Sequence, residues 1–348
     1  MKNTGAQDKN EEKESIIQEN IDMKSEILAF LRQRGDYVSG QELCEHFGVS
    51  RTAVWKAIGQ LKKEGYHIEA VQNRGYLLLS EQELFGQYEL ESRMNTKWAG
   101  RPVKFYDSLN STNLQAKLDA ENGAAEGTLI VADMQTAGRG RKGRAWSSPA
   151  GANVYFTLIL KPGFAVELAS MVTLVMGLAV AEGIRASCSA QTLIKWPNDI
   201  VVNGKKICGM LAEMSVEKEY IHYIVMGVGI NVEKQAFPPE VAAVAGTLAE
   251  ECGEKLSRAN LIVEVMRAFE SCYGDFLQAG SFAPLVERYN ALLVNKDREV
   301  RVLDPKGEYQ GIARGINGAG ELLVERKDGT VTPVYAGEVS VRGLYGYV

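Results

Sequence analysis

Gln135-Thr-Ala-Gly-Arg-Gly-Arg-Lys-Gly-Arg-Ala-Trp146, with Ser148-Pro149-Ala150-Gly151 and the apolar run Asn153-Val-Tyr-Phe-Thr-Leu-Ile-Leu160 behind it, is the stretch on which the fold turns. Residues 138–143 satisfy G-x-G-x-x-G, the spacing of a dinucleotide-binding fingerprint. In that fingerprint the glycines open a helix whose N-terminus meets a pyrophosphate. Here a turn and a strand-like run follow, which argues against such a fold, and the chain has no G-x-x-x-x-G-K-[ST] loop. What is left is a glycine-rich loop with four cations, Arg139, Arg141, Lys142 and Arg144, in seven positions. Close like charges repel unless anions arrive between them; arginine forks match phosphate oxygens, and glycine lets backbone approach a ligand. The same spacing also fits a solvated basic loop or an RNA-binding one.

Around this loop, from about Arg101 to Tyr289, long strand-like segments occur with few helices between them, among them Val154 to Leu160, Ile207 to Met214 and Ile221 to Gly227. Helical periodicity marks Thr112 to Asp119, Val166 to Ser187 and Asn260 to Leu277. That pattern predicts a mixed sheet backed by helices, not regular βαβ alternation. After Asn295, short alternating strands with glycine turns predict a small β-barrel.

Before the loop, from Met23, three short helices and two strands are expected. The first helix carries Ile27, Leu28 and Leu31 and stops at Gly35; the second has a capping box, Ser39 with Glu42. Ser50 is a good N-cap for the third, in which Ala53, Val54, Ala57, Ile58 and Leu61 form an apolar stripe. His67 to Val71 and Gly75 to Leu79, around Gln72-Asn73-Arg74, complete a winged helix-turn-helix. Recognition helices meet the major groove with N-terminal residues, so Arg51, Thr52, Trp55 and Lys56 are the DNA-binding candidates, with Arg74 at the wing tip. Eight Lys/Arg against seven Asp/Glu between Asp22 and Ser80 give only +1. Geometry, not charge, carries the DNA reading, and a winged helix used for protein contacts is the alternative. An operator with two half-sites implies a homodimer.

The expected division is therefore a disordered tail over 1–21, a winged helix over 22–80, a mixed α/β domain over 81–294 and a β-barrel over 295–348. With 348 residues, 45% hydrophobic and 24% charged, the chain is long enough for two or three domains. Its net charge of −5 confines any nucleic-acid binding to a local basic patch. Five cysteines without a CxxC pair, and only three histidines, point to reduced, mostly buried thiols and to no protein-held metal. No apolar run of bilayer length and no signal peptide are read, so a cytoplasmic protein without a membrane partner is expected.

Gln135, Arg139 to Trp146, and Lys195-Trp196-Pro197-Asn198-Asp199 resemble the signatures of the bacterial biotin protein ligases. Ser111-Thr112-Asn113, Lys205-Lys206-Ile-Cys-Gly-Met-Leu211, Gly227-Val-Gly-Ile-Asn231 and Gly337-Glu-Val-Ser340 resemble further signatures of that family, in its order. The resemblance implies a multidomain α+β protein: an N-terminal winged helix, a central mixed α/β ligase domain of the biotin/lipoate type and a C-terminal SH3-like barrel. It implies ATP and biotin as substrates, Mg2+ on the nucleotide phosphates, biotinyl-5'-AMP as the intermediate and a biotin carboxyl carrier protein as acceptor. A preceding winged helix matches the subgroup that represses biotin synthesis genes, with operator DNA as partner and dimerisation promoted by bound adenylate.

Position by position, the resemblance places Ser111, Thr112, Asn113, Gln135, Arg139, Gly140, Arg141 and Lys206 around biotin. Arg141, Arg144, Trp146, Asn198 and Asn231 fall to the nucleotide. Lys206, Arg139 and Arg141 would stabilise charge at the α-phosphate, and Asp199 would assist loss of a proton from the acceptor lysine. Each residue has a plainer reading too. Ser111-Thr112-Asn113 also suit a helix cap, Trp146 and Trp196 a core, and Asp199 a turn. Ala245-Gly246-Thr247-Leu248 departs from the family's usual Thr-Ser-Leu in a nucleotide-covering loop, and this loop and the basic one are expected to order on ligand binding. A regulator that has lost catalysis, and a lipoate or octanoate ligase, are the alternatives; the polar Ser111, Thr112 and Gln135 favour biotin's ureido ring over a lipoyl chain.

Overall fold

The computed structural model describes residues 23–79, 84–253, 255–304 and 307–335, with the backbone of Ser340–Gly343. The tail expected over 1–21, the end of the winged helix at Ser80 and the Gly337-Glu338-Val339 stretch lie outside the described residues. The chain forms two compact units that divide between Met94 and Asn95.

In the first unit, helix α1 (23–34), α2 (Gly40–Phe47) and α3 (Arg51–Lys63) precede the antiparallel pair β1 (Ile68–Val71) and β2 (Gly75–Leu78). Ser39 Oγ accepts from the Glu42 N–H at 3.0 Å and Ser50 Oγ from the Ala53 N–H at 3.2 Å, so both helices start where their caps predict. The capping box at Ser39 is only half formed, because the Glu42 carboxylate pairs with Arg34 instead. Ile27, Leu28, Leu31, Leu43, Val54, Ala57, Ile58 and Leu61 fill the core; Ala53 is half-buried.

A further helix, α4 (Gln87–Arg93), belongs to this unit although it lies beyond the expected boundary at 80/81. Its Glu89 is buried and accepts from Arg32 Nη2 at 3.0 Å, while Arg93 pairs with the same carboxylate. Arg32 Nη1 also donates to Ser92 Oγ at 2.7 Å. A buried charge is tolerated when paired in this way. The partners lie about sixty positions away in sequence, where periodicity cannot reach them.

The second unit is built on a seven-stranded sheet in the order β3-β4-β5-β9-β8-β7-β6. The strands are β3 (Val103–Leu109), β4 (Leu129–Gln135), β5 (Asn153–Leu160), β6 (Leu193–Lys195), β7 (Asp199–Val202), β8 (Lys205–Glu217) and β9 (Tyr220–Asn231). Only β3 and β4 run parallel. All eight residues of β5 are buried, and α5 (Thr112–Glu121), α6 (Met171–Ser187) and α9 (Arg258–Ala279) back the sheet. Residues 166–187 are long and apolar enough to cross a bilayer, contrary to the expectation from sequence. Most of that stretch is buried within the fold, and a helix apolar on all sides is what a core requires. Short α7 (Pro239–Ala242), α8 (Leu248–Cys252) and α10 (Val286–Leu292) complete the helices described here.

The same unit ends in an antiparallel sheet of order β13-β12-β11-β10-β14, formed by β10 (Arg298–Leu303), β11 (Tyr309–Ile316), β12 (Leu322–Glu325), β13 (Val331–Val334) and β14 (Ser340–Gly343). It is the small β-domain expected after Asn295. Asn290 on α10 is bonded to it at a single residue, accepting from the Ile316 N–H at 2.8 Å and donating to the Ile316 carbonyl at 3.2 Å.

Candidate active site

Three glycines on β8 and β9 leave one patch of the sheet bare of side chains. A Cβ on Gly227 would stand 2.1 Å from Asn113 Oδ1, one on Gly229 2.5 Å from Trp146 Nε1, and one on Gly209 2.9 Å from Trp146 Cζ3. Gly209 and Gly229 are paired across the two strands. The indole of Trp146 therefore rests directly on backbone, with Lys206 Nζ 5.5 Å from its ring centre. Its Nε1–H is buried without an acceptor among the described residues. Trp196, by contrast, is a core residue whose indole N–H donates to the Gly320 carbonyl at 3.2 Å.

Asn113 occupies the other bare position. Its Nδ2 donates to the Leu211 carbonyl at 3.2 Å and to Glu213 Oε2 at 2.9 Å, and its Oδ1 accepts from Thr157 Oγ1 at 2.7 Å. Both amide hydrogens are thus committed within the protein, and the side chain fastens the start of α5 to the sheet. Burial alone would push the Glu213 carboxyl up; donation from Lys117 and Asn113, with the charges of Lys117 and Arg139, brings it below its ordinary value.

Ser111 is the N-cap residue of α5, but its side chain makes no cap bond. The cap comes from the neighbouring strand: Gln135 Oε1 accepts from the Thr112 N–H at 2.9 Å and from Thr112 Oγ1 at 3.1 Å. Gln135 Nε2 then donates to Ser148 Oγ at 3.0 Å. Sequence alone offers Ser111 for the capping role, because only the parallel pairing of β3 with β4 brings Gln135 to the helix end. Thr112 and Gln135 are thus in direct contact, with Ser111 the residue before Thr112.

The basic loop is a narrow hairpin. The Trp146 N–H donates to the Gly138 carbonyl at 2.9 Å and the Gly140 N–H to the Arg144 carbonyl at 2.7 Å. Lys142 (φ 57°) and Gly143 (φ 73°) make the consecutive left-handed residues of a primed turn. Arg139 and Arg144 are exposed, while Arg141 is half-buried and donates to Asn198 Oδ1 at 3.0 Å. Burial lowers the Arg141 guanidinium from its ordinary value, and the charge of Asp199 works the other way. Asp199 and Lys206 sit on adjacent strands, carboxylate to ammonium 2.6 Å. Arg141, Asn198, Asp199, Lys206 and Trp146 thus converge, though their positions span 66 residues of sequence.

The second loop is paired, not open. The Lys206 N–H donates to the Val244 carbonyl at 2.7 Å, and the Gly246 N–H to the Lys206 carbonyl at 3.0 Å. Asn231 Nδ2, proposed from sequence as a nucleotide contact, donates to the Gly246 carbonyl at 3.1 Å and so holds this loop. A Cβ on Gly246 would stand 2.7 Å from Lys205 Cβ, and Thr247 Oγ1 caps α8 by accepting from the Glu250 N–H at 3.3 Å. The departure at Ala245-Gly246-Thr247-Leu248 thus keeps a hydroxyl cap and adds a glycine that the close approach requires. On α3, Arg51, Thr52, Trp55 and Lys56 are all exposed, Trp55 by 68%. Arg51 donates to Gln41 at 2.8 Å, and the Arg74 guanidinium lies 4.0 Å above the Tyr37 ring.

Residues 105–231 match the biotin/lipoate A/B protein ligase family, 24–77 an HTH domain and 297–342 the biotin protein ligase C-terminal domain. The bifunctional ligase/repressor BirA of Bacillus subtilis is 37% identical over 322 residues, which are 92% of this chain and 98% of that one. The chain belongs to the bifunctional ligase/repressor family. BirA of Escherichia coli is 32% identical over 315 residues, 90% and 96% of the two chains. Among solved structures, the biotin protein ligase of Aquifex aeolicus in complex with biotin and ATP superimposes with a TM-score of 0.61 at 29% identity, covering 70% of this chain and 99% of that one. The cysteines depart from expectation: only Cys208 and Cys272 are buried, and Cys188 and Cys252, far apart in sequence, are neighbours.

Proposed function

We propose that the protein is an ATP-dependent biotin protein ligase that forms biotinyl-5'-AMP, transfers biotin to a lysine of a biotin carboxyl carrier protein, and represses biotin synthesis genes. The observation that carries this reading is the meeting of Lys206, Asp199, Arg141 and Asn198 beside a sheet patch stripped of side chains. In the first step a biotin carboxylate oxygen attacks the α-phosphorus of ATP and pyrophosphate leaves. Lys206 and Arg141 bring positive charge to that point, and a cation fixed in advance is worth more than one recruited from water. Asp199 holds the Lys206 ammonium in place. Arg139 and Arg144, at the exposed rim, serve the carboxylate and the phosphates.

Ser111, Thr112 and Gln135 supply neutral donors and acceptors for the ureido ring, Gly140 lets it approach backbone, and Trp146 covers the nucleotide side. Asn113 and Asn231 act one step removed, the first through α5 and the second through the paired loop. In the second step a neutral acceptor amine attacks the acyl carbon and AMP leaves; Asp199 takes the proton once its pair with Lys206 opens. Among the described residues, no cluster of three or more His, Cys, Asp or Glu could hold a metal. The carboxylate nearest the site is bonded to Lys206, so a protein-held Mg2+ does not fit and the ion comes with the nucleotide phosphates.

The exposed residues at the start of α3, with Arg74 on the wing, read operator DNA as a homodimer in the cytoplasm. The edge of β8 beyond Met210, to which no strand is paired on the β7 side among the described residues, carries exposed Met214 and Val216, and with exposed Tyr220 across the hairpin it supports a second copy there. ATP–pyrophosphate exchange with biotin, lipoate or octanoate supplied separately tests the enzyme. Exchange with biotin is expected. Exchange with lipoate or octanoate alone would make the protein a lipoyl-type ligase, and none with any acid would leave a regulator.

A further inference from the structure

Cys188 and Cys252 are 64 positions apart, yet their sulfurs stand 3.3 Å from each other. Both are half-buried, and both lie at helix ends: Cys188 just past α6, Cys252 as the last residue of α8. The other thiols of this unit are unsuited to exchange. Cys208 and Cys272 are buried, and burial pushes Cys272 up to about 11 and Cys208 higher still. A disulfide needs sulfurs about 2.05 Å apart, so closure asks for a shift of about 1.3 Å.

The pair is also placed to matter. Cys252 ends the five-residue helix capped by Thr247, and the residue before that cap, Gly246, is bonded to the Lys206 carbonyl and to Asn231. Cys188 directly follows α6, twelve of whose seventeen residues are buried in the core. A bond between the two would tie the segment that pairs with Lys206 to the end of α6.

We propose that Cys188 and Cys252 form a redox-modification site that takes a low-molecular-weight disulfide or hydrogen peroxide as oxidant, and that their disulfide restrains residues 244–252 against Lys206. With a disulfide RSSR, one thiolate attacks a sulfur and expels RS−; the second thiolate attacks the mixed disulfide and expels the other RS−. The protein loses two hydrogens and RSSR leaves as two RSH. With hydrogen peroxide, the first sulfur becomes a sulfenic acid with loss of one water, and attack by the second thiolate releases another. The restraint slows nucleotide entry and adenylate exit, a consequence that rests on the ligase reading; bond formation does not.

The test treats the purified full chain with oxidised glutathione or with hydrogen peroxide. The thiol count should fall from five to three, and mass spectrometry of non-reduced peptides should recover Cys188 linked to Cys252. Amide hydrogen exchange over 244–252 should slow, and pyrophosphate exchange should drop severalfold and return on reduction. Cys188→Ser and Cys252→Ser should resist both changes. An unchanged thiol count, a link through other cysteines, or equal inhibition of the serine variants would overturn the site. A correct link that leaves amide exchange over 244–252 unaltered would overturn the restraint. A reduced enzyme inactive toward every acid would sink the ligase reading while thiol count, peptide map and amide exchange still decide this one.

Discussion

Two glycine pairs of the same form, Gly138-Arg139-Gly140 and Gly227-Val228-Gly229, answer different demands. In the hairpin only the first glycine is sterically required: a Cβ on Gly138 would stand 2.5 Å from the Trp146 carbonyl oxygen, whereas one on Gly140 would find nothing closer than 3.4 Å. Gly140 is also in extended backbone that any residue adopts (φ −115°). In the strand both glycines are required, because each is the seat of another residue's side chain, Asn113 on one and Trp146 on the other. The first pair shapes a loop; the second clears a surface. Glycine inside a strand weakens it unless something takes the vacated space, and here the side chains of Asn113 and Trp146 do so.

The comparison can be broken most forcefully at Gly229. Gly229→Ala should displace the Trp146 indole and lower pyrophosphate exchange on the order of a hundredfold, as misplacing a site by about 1 Å does. Gly227→Ala should instead show as lost stability, roughly 1–3 kcal/mol by denaturant titration, the cost of overpacking. Equal effects from the two would mean that the seats are not separate. Gly138→Ala, which presses on the Trp146 carbonyl and on the Ser148 hydroxyl at the mouth of the hairpin, should cost about 1.4 kcal/mol of transition-state stabilisation, or tenfold in exchange.

The Asn113 seat has an acid-sensitive buttress in Glu213. Glu213 has a lowered folded pKa, so its stabilisation is present above the unfolded carboxylate value and is lost as pH falls through the folded one. Glu213→Gln should reduce Tm by roughly 2–4 °C at pH 7. The gap between variant and wild type should close below about pH 4; a constant gap would remove charge from the explanation. The smallest effect is expected at Gly140→Ala: stability within about 0.5 kcal/mol, with any loss of exchange appearing as a raised KM for biotin.

What was legible in the sequence was whatever is local. Ser50 and the stripe from Val54 to Leu61 place α3 because cap and apolar face lie within one helix. The apolar run through β5 was equally plain. The expected strand from Ile221 stops at Gly227, whereas β9 runs to Asn231, since the glycines that argue for an end are there to receive Asn113 and Trp146. The candidate site divides likewise. Arg141 and Lys206 are singled out by their motifs, but the capping of α5 by Gln135, the tie of Asn231 to Gly246 and the nearness of Cys188 to Cys252 arise from strand order and loop return, which leave no trace in spacing.

The hydrogen bond from Trp196 to the Gly320 carbonyl carries a lesson for anyone who would trim this protein. Trp196 opens the run that delivers Asn198 and Asp199, and its indole N–H, deep in the interior, finds its acceptor in the turn between β11 and β12. Cutting the chain near residue 294 would strand that donor in an apolar interior, a loss of about 1–3 kcal/mol at the base of the site. The seam between enzyme and appendage drawn by composition is therefore no place for scissors.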